Sequence, residues 1–238
     1  MFALLRTRRW ISFSLLVIGV IVGFGLLSQW QWSRAEAKRI DRIALESASF
    51  ASPTALPEKR ILKDSQEWSR FNVTGRFVAT DQVVVRKRPL NGTNGFWVMT
   101  IFETNTGIAL WVNRGWMPAR GIATQMPAIP QPVTTPQTIT GAWRNFEAAS
   151  SAQLSGLPKG MVPAPAAEVL PIQGSVPGYL VITNPAQSGL ELIPTPEIDE
   201  TQNVSYAVQW ILFAAVAIIG WFIFLRREAS EDARKTQV

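Results

Sequence analysis

The stretch Val204–Leu225, VSYAVQWILFAAVAIIGWFIFL, runs for 22 residues without a charge, and its reading decides the architecture. A helix needs roughly 20 such residues to cross a hydrocarbon core about 30 Å thick, so a transmembrane helix is predicted here. Toward the N-terminus a second charge-free run, Ile11–Leu27 (ISFSLLVIGVIVGFGLL), covers 17 residues. Trp10 and Trp30 bracket it. At ~1.5 Å per residue they stand about 30 Å apart, a spacing that suits an aromatic belt at both membrane boundaries. The two runs explain a composition that is 47% hydrophobic and 17% charged over 238 residues, too apolar for a soluble domain and too polar for a multi-span transporter.

The first run has a rival reading as a cleaved signal peptide. Arg6, Arg8 and Arg9 precede it, and Ala35-Glu36-Ala37 has the A-x-A form of a cleavage site. Against cleavage, the apolar run exceeds a signal core, and Trp30, Trp32 and Arg34 lie before any cut. Arg226 and Arg227 follow the second run directly, while Glu197, Asp199 and Glu200 precede it. Basic flanks stay cytoplasmic, so the C-terminus is predicted inside, and two spans put the N-terminus there too. The expected organisation is a cytoplasmic tail (1–9), a first span (10–30), an extracytoplasmic domain (31–203), a second span (204–225) and a cytoplasmic tail (226–238). With nine residues before the first span there is no room for an organelle transit peptide, which favours a bacterial plasma membrane.

The net charge of +6 does not indicate nucleic acid. Sixteen Lys and Arg against fourteen Asp and Glu leave residues 31–203 at only +2. The rest of the excess flanks the membrane, where it meets anionic lipid. Cysteine is absent, and roughly 170 residues suffice for a core without disulfides.

Beyond the first run, LLSQWQWSRAEAKRIDR (Leu26–Arg42) contains no glycine or proline, so the helix is expected to continue to about Phe50, where SPTALP ends it. Short extended stretches follow. Phe71–Val78, Gln82–Arg86, Phe96–Phe102, Ile108–Asn113, Gln137–Trp143, Tyr179–Thr183 and Leu190–Ile193 alternate or are rich in β-branched residues, with Gly, Pro, Asn or Thr between them. The predicted fold class is a membrane protein whose two transmembrane α-helices, N- and C-terminal, flank a β-rich extracytoplasmic domain, an open barrel or bent antiparallel sheet. Prolines at 127, 130, 132 and 136 predict an extended connector. Leu157–Pro177 reads as a long loop of undecided order.

No histidine or cysteine is present, so zinc, copper and Cys- or His-based nucleophilic chemistry lose their usual groups. No G-x-S-x-G, P-loop, G-x-G-x-x-G or S-x-x-K occurs. An enzyme is not expected. Four polar-aromatic clusters stand out instead. Gln31, Arg34 and Lys38 fall at i, i+3 and i+7 on one helix face just outside the bilayer, where Trp30 and basic residues also commonly serve as plain anchors. Arg86-Lys87-Arg88-Pro89 reads as a solvated strand end or as a contact for acidic lipid or propionate groups. Val112–Pro118 (VNRGWMP) reads as a strand that runs into Gly115 and stops at Pro118, presenting Arg114 and Trp116 at a turn, or as core packing of Trp116 beside a salt-bridged Arg114. Tyr206 and Gln209, followed by Trp210, stand at the entrance of the second span. A polar side chain there is costly unless it meets a partner.

Taken in order, these clusters resemble the surfeit locus protein 1 family of cytochrome c oxidase assembly factors. Its W-Q-x-x-R-x-x-x-K motif matches Trp30, Gln31, Arg34 and Lys38, and its R-P-L element matches Arg88, Pro89 and Leu90. V-N-R-G-W-x-P matches Val112 to Trp116 with Pro118, G-x-x-R-x-x-E matches Gly141, Arg144 and Glu147, and Y-A-x-Q-W matches Tyr206, Ala207, Gln209 and Trp210. The resemblance implies a role in maturing the haem a-containing oxidase. The catalytic subunit would be the partner, together with membrane lipid, other respiratory-complex subunits and no nucleic acid. Arg34, Lys38 and Arg114 would contact haem propionates, while Trp30, Gln31, Arg88, Trp116, Tyr206, Gln209 and Trp210 would face the partner protein. Where haem-binding members carry a histidine before the last span, this chain has Asn203, so imidazole ligation of haem a is impossible here. Met99, Met117 and Tyr206 are ligands only in principle. The competing expectation is a permanent accessory subunit of the oxidase or a supercomplex.

Overall fold

The computed structural model describes residues 5–57, 67–120, 125–149, 156–170 and 176–235. It divides into two units, one of residues 1–43 with 197–238 and one of residues 44–196.

The first unit holds most of α1 (Arg8–Phe50) and all of α2 (Thr201–Lys235). α1 has 43 residues, about 65 Å at ~1.5 Å per residue, so it outruns its apolar stretch. The absence of Gly and Pro after Gly25 permits this, and the helix ends at Phe50, as its sequence predicts. Both helices are long and apolar enough to cross a membrane. Leu15, Leu16 and Val22 of α1, and Leu212, Val216 and Ile223 of α2, are exposed. Such a surface suits an apolar surrounding far better than water.

The helices pair antiparallel. Ser14 accepts from Trp221 Nε1 at 3.1 Å, Ser28 Oγ donates to the Ala207 carbonyl at 2.9 Å, and Asn203 Nδ2 donates to Gln31 Oε1 at 2.7 Å. Along α1 the seam follows Ser28, Gln31, Ala35, Lys38 and Arg42, the three-then-four spacing that keeps one stripe of a helix against its neighbour. Ser28, Ala35 and Ala207 are small and buried there, which lets the backbones approach.

The second unit is a β-barrel. Its long strands are β2 (Arg70–Val85), β3 (Gly95–Thr104), β4 (Ala109–Pro118), β5 (Gln137–Asn145) and β7 (Gly178–Asn184). Two short strands, β1 (Thr54–Ala55) and β6 (Met161–Val162), both pair with β2. The sheet order β2-β3-β4-β7-β5 returns to β2, so five strands close a ring. The β-rich domain is thus as expected, but the barrel is closed rather than open and its pairing is mixed, because β4 and β7 run parallel. β2 makes closure possible. Its first half pairs with β5 and its second with β3, and Gly75 belongs to both ladders. A Cβ at Gly75 would collide with the Glu103 carbonyl, so glycine is needed at this corner. The two stretches Phe71–Val78 and Gln82–Arg86 that read separately in the sequence are one strand bent by a bulge between Val78 and Gln82. Leu190–Ile193, read as a strand, forms only one bridge, between Glu191 and Trp116.

Alternation sorts the core. Phe71, Val73, Phe77, Phe102, Leu110, Val112, Ile139, Trp143, Leu180 and Ile182 come from all five strands and fill the ring. Truncating a buried aromatic such as Trp143 to Ala would cost about 3–5 kcal/mol. Met99, Ile101, Trp111, Tyr179 and Val181 lie on the opposite face, packed against Val162 and Leu170. The described part of the proline-rich loop thus covers the sheet, with Met161, Val162, Ala164, Ala166 and Leu170 buried. Residues 171–175 of that loop lie outside the described residues.

Candidate functional site

In the helix pair, polar contacts gather where α1 leaves its apolar run. Beyond the Gln31–Asn203 bond, Lys38 Nζ donates to the Asp199 carbonyl at 3.1 Å. Arg42 holds Glu200 with two bonds, Nε to Oε2 at 3.2 Å and Nη2 to Oε1 at 3.0 Å. Asp199 Oδ1 accepts from the Thr201 amide at 2.8 Å at the first turn of α2. Hydrogen bonding from the Thr201 side chain, and then from this amide, holds the Asp199 carboxyl below its ordinary value, and the bond from Arg42 does the same for Glu200. The face predicted from Gln31, Arg34 and Lys38 is therefore divided. Gln31 and Lys38 turn to α2, while Arg34 is exposed with its guanidinium 5.8 Å from the Trp30 ring.

Trp30 and Trp32 are exposed as well. On α2, Ala207 is buried and Trp210 stacks on Phe24 at 5.5 Å, whereas Tyr206 and Gln209 are exposed. The last two do not bond to α1. They open outward on a helix otherwise lined by Val208, Ile211, Leu212 and Phe213, all exposed.

In the barrel the remaining motifs converge. Arg88 leaves the end of β2 and turns inward. Its Nη2 lies 2.7 Å from Glu147 Oε2, and its guanidinium stacks 4.2 Å from the Trp97 ring. The Arg88 carbonyl accepts from Trp116 Nε1 at 2.6 Å. The Trp116 indole lies over Gly95, where an added Cβ would fall inside the ring system. Arg144 repeats the device. It pairs with Glu67 at 3.5 Å and stacks 4.3 Å from Trp68. Tyr179 is fully buried close to both pairs, and its hydroxyl has no hydrogen-bond partner among the described residues. Burial pushes it up to about 12, with Arg144 and Arg88 opposing the shift and Glu147 and Glu67 adding to it. The R-P-L, V-N-R-G-W-x-P and G-x-x-R-x-x-E elements are thus one structural knot. Composition cannot reveal Glu67, Trp68, Trp97 or Tyr179 as its members, because only the closed ring brings them together.

Arg114 is a correction. The sequence placed it at an outer surface or in a salt bridge, but it is 1% exposed and pairs with no carboxylate among the described residues. Alternation explains this. Arg114 follows Leu110 and Val112 on the ring-filling side of β4, and it lies 5.6 Å from the Phe77 ring. Its Nη1 donates to Gln82 Oε1 and to the Pro130 carbonyl, each at 2.9 Å, tying the β2 bulge to the proline connector. Burial lowers its pKa from the usual 12.5 to about 10. The strand does stop at Pro118, as its sequence predicts, but Trp116 is buried within β4 rather than presented at a turn.

A family model described as the SURF1 family matches residues 18–215. The chain belongs to the SURF1 family. Uncharacterized SURF1-like proteins of Mycobacterium bovis and of two strains of Mycobacterium tuberculosis are each 26% identical to it over 248 residues, covering 98% of this chain and 89% of theirs. The SURF1 family is associated with cytochrome oxidase assembly. Toward a haem a cofactor, the three candidate axial ligands are poorly placed among the described residues. Histidine is absent, Met99 is fully buried, and Met117 packs against a core cluster. Tyr206 alone of the three candidates is open, on an exposed helix face, so none of these three is enclosed as an axial ligand among the described residues.

Proposed function

We propose that this SURF1-family protein assists maturation of the haem a-containing cytochrome c oxidase by holding its catalytic subunit in the plasma membrane. Both helices cross the bilayer, the termini are cytoplasmic and the barrel is extracytoplasmic. One observation carries the reading: Tyr206 and Gln209 are exposed on an apolar helix and unclaimed by α1. Inside a bilayer a polar group of this kind is costly alone and is satisfied by a neighbouring helix. A transmembrane helix of the catalytic subunit is that neighbour, with Trp210 behind the contact. Trp30, Arg34 and Lys38 stand at the outer boundary. There Arg34, without a carboxylate partner among the described residues, offers a charge-assisted bond to haem propionates or to acidic residues of the partner. Arg88 and Trp116 act indirectly, by fixing the barrel's shape.

The test replaces Gln209 by Leu and Arg34 by Ala in the full chain. Haem a content of the membranes should fall severalfold while the protein itself remains membrane-bound at normal level. Unchanged haem a in both variants overturns the proposed contact. A fixed one-to-one ratio with the purified mature oxidase would instead identify a permanent subunit.

A further inference from the structure

The basic run Arg86-Lys87-Arg88 is split by the fold, and the split builds a second site. Along an extended strand, neighbouring side chains point to opposite faces. Lys87 breaks that rule, because its backbone sits in the left-handed region at φ +56°. A lysine held there is strained and persists only where its surroundings impose it. The consequence is a division of labour. Arg88 is spent on Glu147 and Trp97, whereas Arg86 and Lys87 both line a cleft of about 700 Å³ with Pro89, Asn94, Phe96 and Ala119.

Three features make this cleft a built site. Among the described residues no acidic one lines it, and neither Arg86 nor Lys87 has an ion-pair partner. By contrast Arg76, Arg88 and Arg144 of the same barrel each take a glutamate. The walls are pinned: Arg88 N donates to the Gly95 carbonyl at 3.0 Å, Ala119 N to the Asn94 carbonyl at 2.9 Å, and Leu90 and Thr93 close the intervening turn with a pair of 2.9 Å bonds. Trp116 Nε1 adds the 2.6 Å bond to the Arg88 carbonyl. The lining is also amphipathic, with the cations and the Asn94 amide beside Pro89, Ala119 and Phe96. The volume lies in the range of small-molecule sites.

We propose that this cleft binds a phosphate-bearing amphiphile. The phosphate oxygens would be held by the Arg86 fork, the Lys87 ammonium and the Asn94 amide, and the apolar part would lie along Pro89 and Phe96. A guanidinium and an ammonium together offer several charged N–H donors, which match the multiple acceptor oxygens of a phosphate. The phosphate belongs either to a phospholipid headgroup or to a soluble phosphate ion, and the apolar wall favours the former. The site shares no residue with the proposed contact at Tyr206, Gln209 and Arg34, so it stands even if the oxidase reading falls.

The test is native mass spectrometry of the full-length protein released from neutral detergent. It is titrated with phosphatidylglycerol, phosphatidylcholine or inorganic phosphate. Phosphatidylglycerol should bind in preference to phosphatidylcholine. The double variant Arg86→Gln, Lys87→Gln should weaken the tightest phosphatidylglycerol site by about tenfold or more, the loss of one to two charge-assisted bonds. Arg76→Gln, an exposed cation elsewhere on the barrel, should leave that site unchanged. Inorganic phosphate that competes at the same concentration as the lipid would overturn the amphiphile and leave a plain anion site. Equal binding of both lipids, or an unaltered double variant, would overturn the proposal outright.

Discussion

Arg88 is where the barrel's motifs are joined, and a double-mutant cycle with Glu147 measures the joint. Changing Arg88 to Gln removes the 2.7 Å pair with Glu147 and the stacking at 4.2 Å on Trp97. A hydrogen bond between charged groups contributes about 1.5–3 kcal/mol when shielded, and a guanidinium over a tryptophan about 0.5–2 kcal/mol. The two side chains are 19% and 33% exposed, so solvent screens part of each. The lower halves of those ranges apply, and Arg88→Gln should destabilise by about 2–3 kcal/mol. Glu147→Gln keeps an acceptor and the stacking, so about 1 kcal/mol is expected. The coupling between the two changes should be about 1 kcal/mol. Denaturant unfolding of the full chain in mild detergent, followed by tryptophan fluorescence, reports all four corners of the cycle. A cost below about 0.5 kcal/mol for Arg88→Gln, typical of a plain surface change, or a coupling of zero, would refute the knot.

Two further outcomes follow from the same geometry. Tyr179→Phe should match or exceed the parent in stability by about 1 kcal/mol, since it removes a buried hydroxyl without a partner; a loss larger than that in the same unfolding assay would mean the hydroxyl is bonded. Because the folded protein holds this proton up to about 12 against the ordinary 10, the tyrosine's contribution is complete below pH 10 and is lost as the pH rises toward 12. Arg114, shifted down to about 10, has the opposite sign over that range, so the difference between parent and Tyr179→Phe isolates the tyrosine. At the start of α2, Asp199 and Glu200 are held below their ordinary values of 3.8 and 4.5, so their contacts are present above those values and weaken as the pH falls beneath them. The Thr201 amide resonance should move in that acid range, and an Asp199→Ala variant should show no such movement.

Much of this fold is local and therefore legible in the residues. Seventeen and 22 charge-free residues specify the two apolar helices, and the lack of a breaker before Ser52 carries α1 outward. The strands around Phe96–Phe102 and Ile108–Asn113 follow from composition and a short glycine-containing loop. Ring closure is not legible, because it depends on β2 pairing with β5 and on β4 meeting β7 in parallel, contacts between segments more than sixty residues apart. The bulge between Val78 and Gln82 hid the unity of β2 for a similar reason. Arg114 misled because an arginine is seldom fully buried without a carboxylate; only the alternation Leu110, Val112, Arg114 carried the hint. In the helix pair, Gln31 and Lys38 were recognised as a face, but the partner of Gln31 had to await Asn203.

The proposed role of the helix pair in maturing the oxidase is tested most directly by a reduced-minus-oxidised difference spectrum of membranes from a strain lacking this protein. The a-type band should be lost or strongly reduced, and should return with the parent chain but not with Gln209→Leu. A band of full height in the deletion strain would contradict the account.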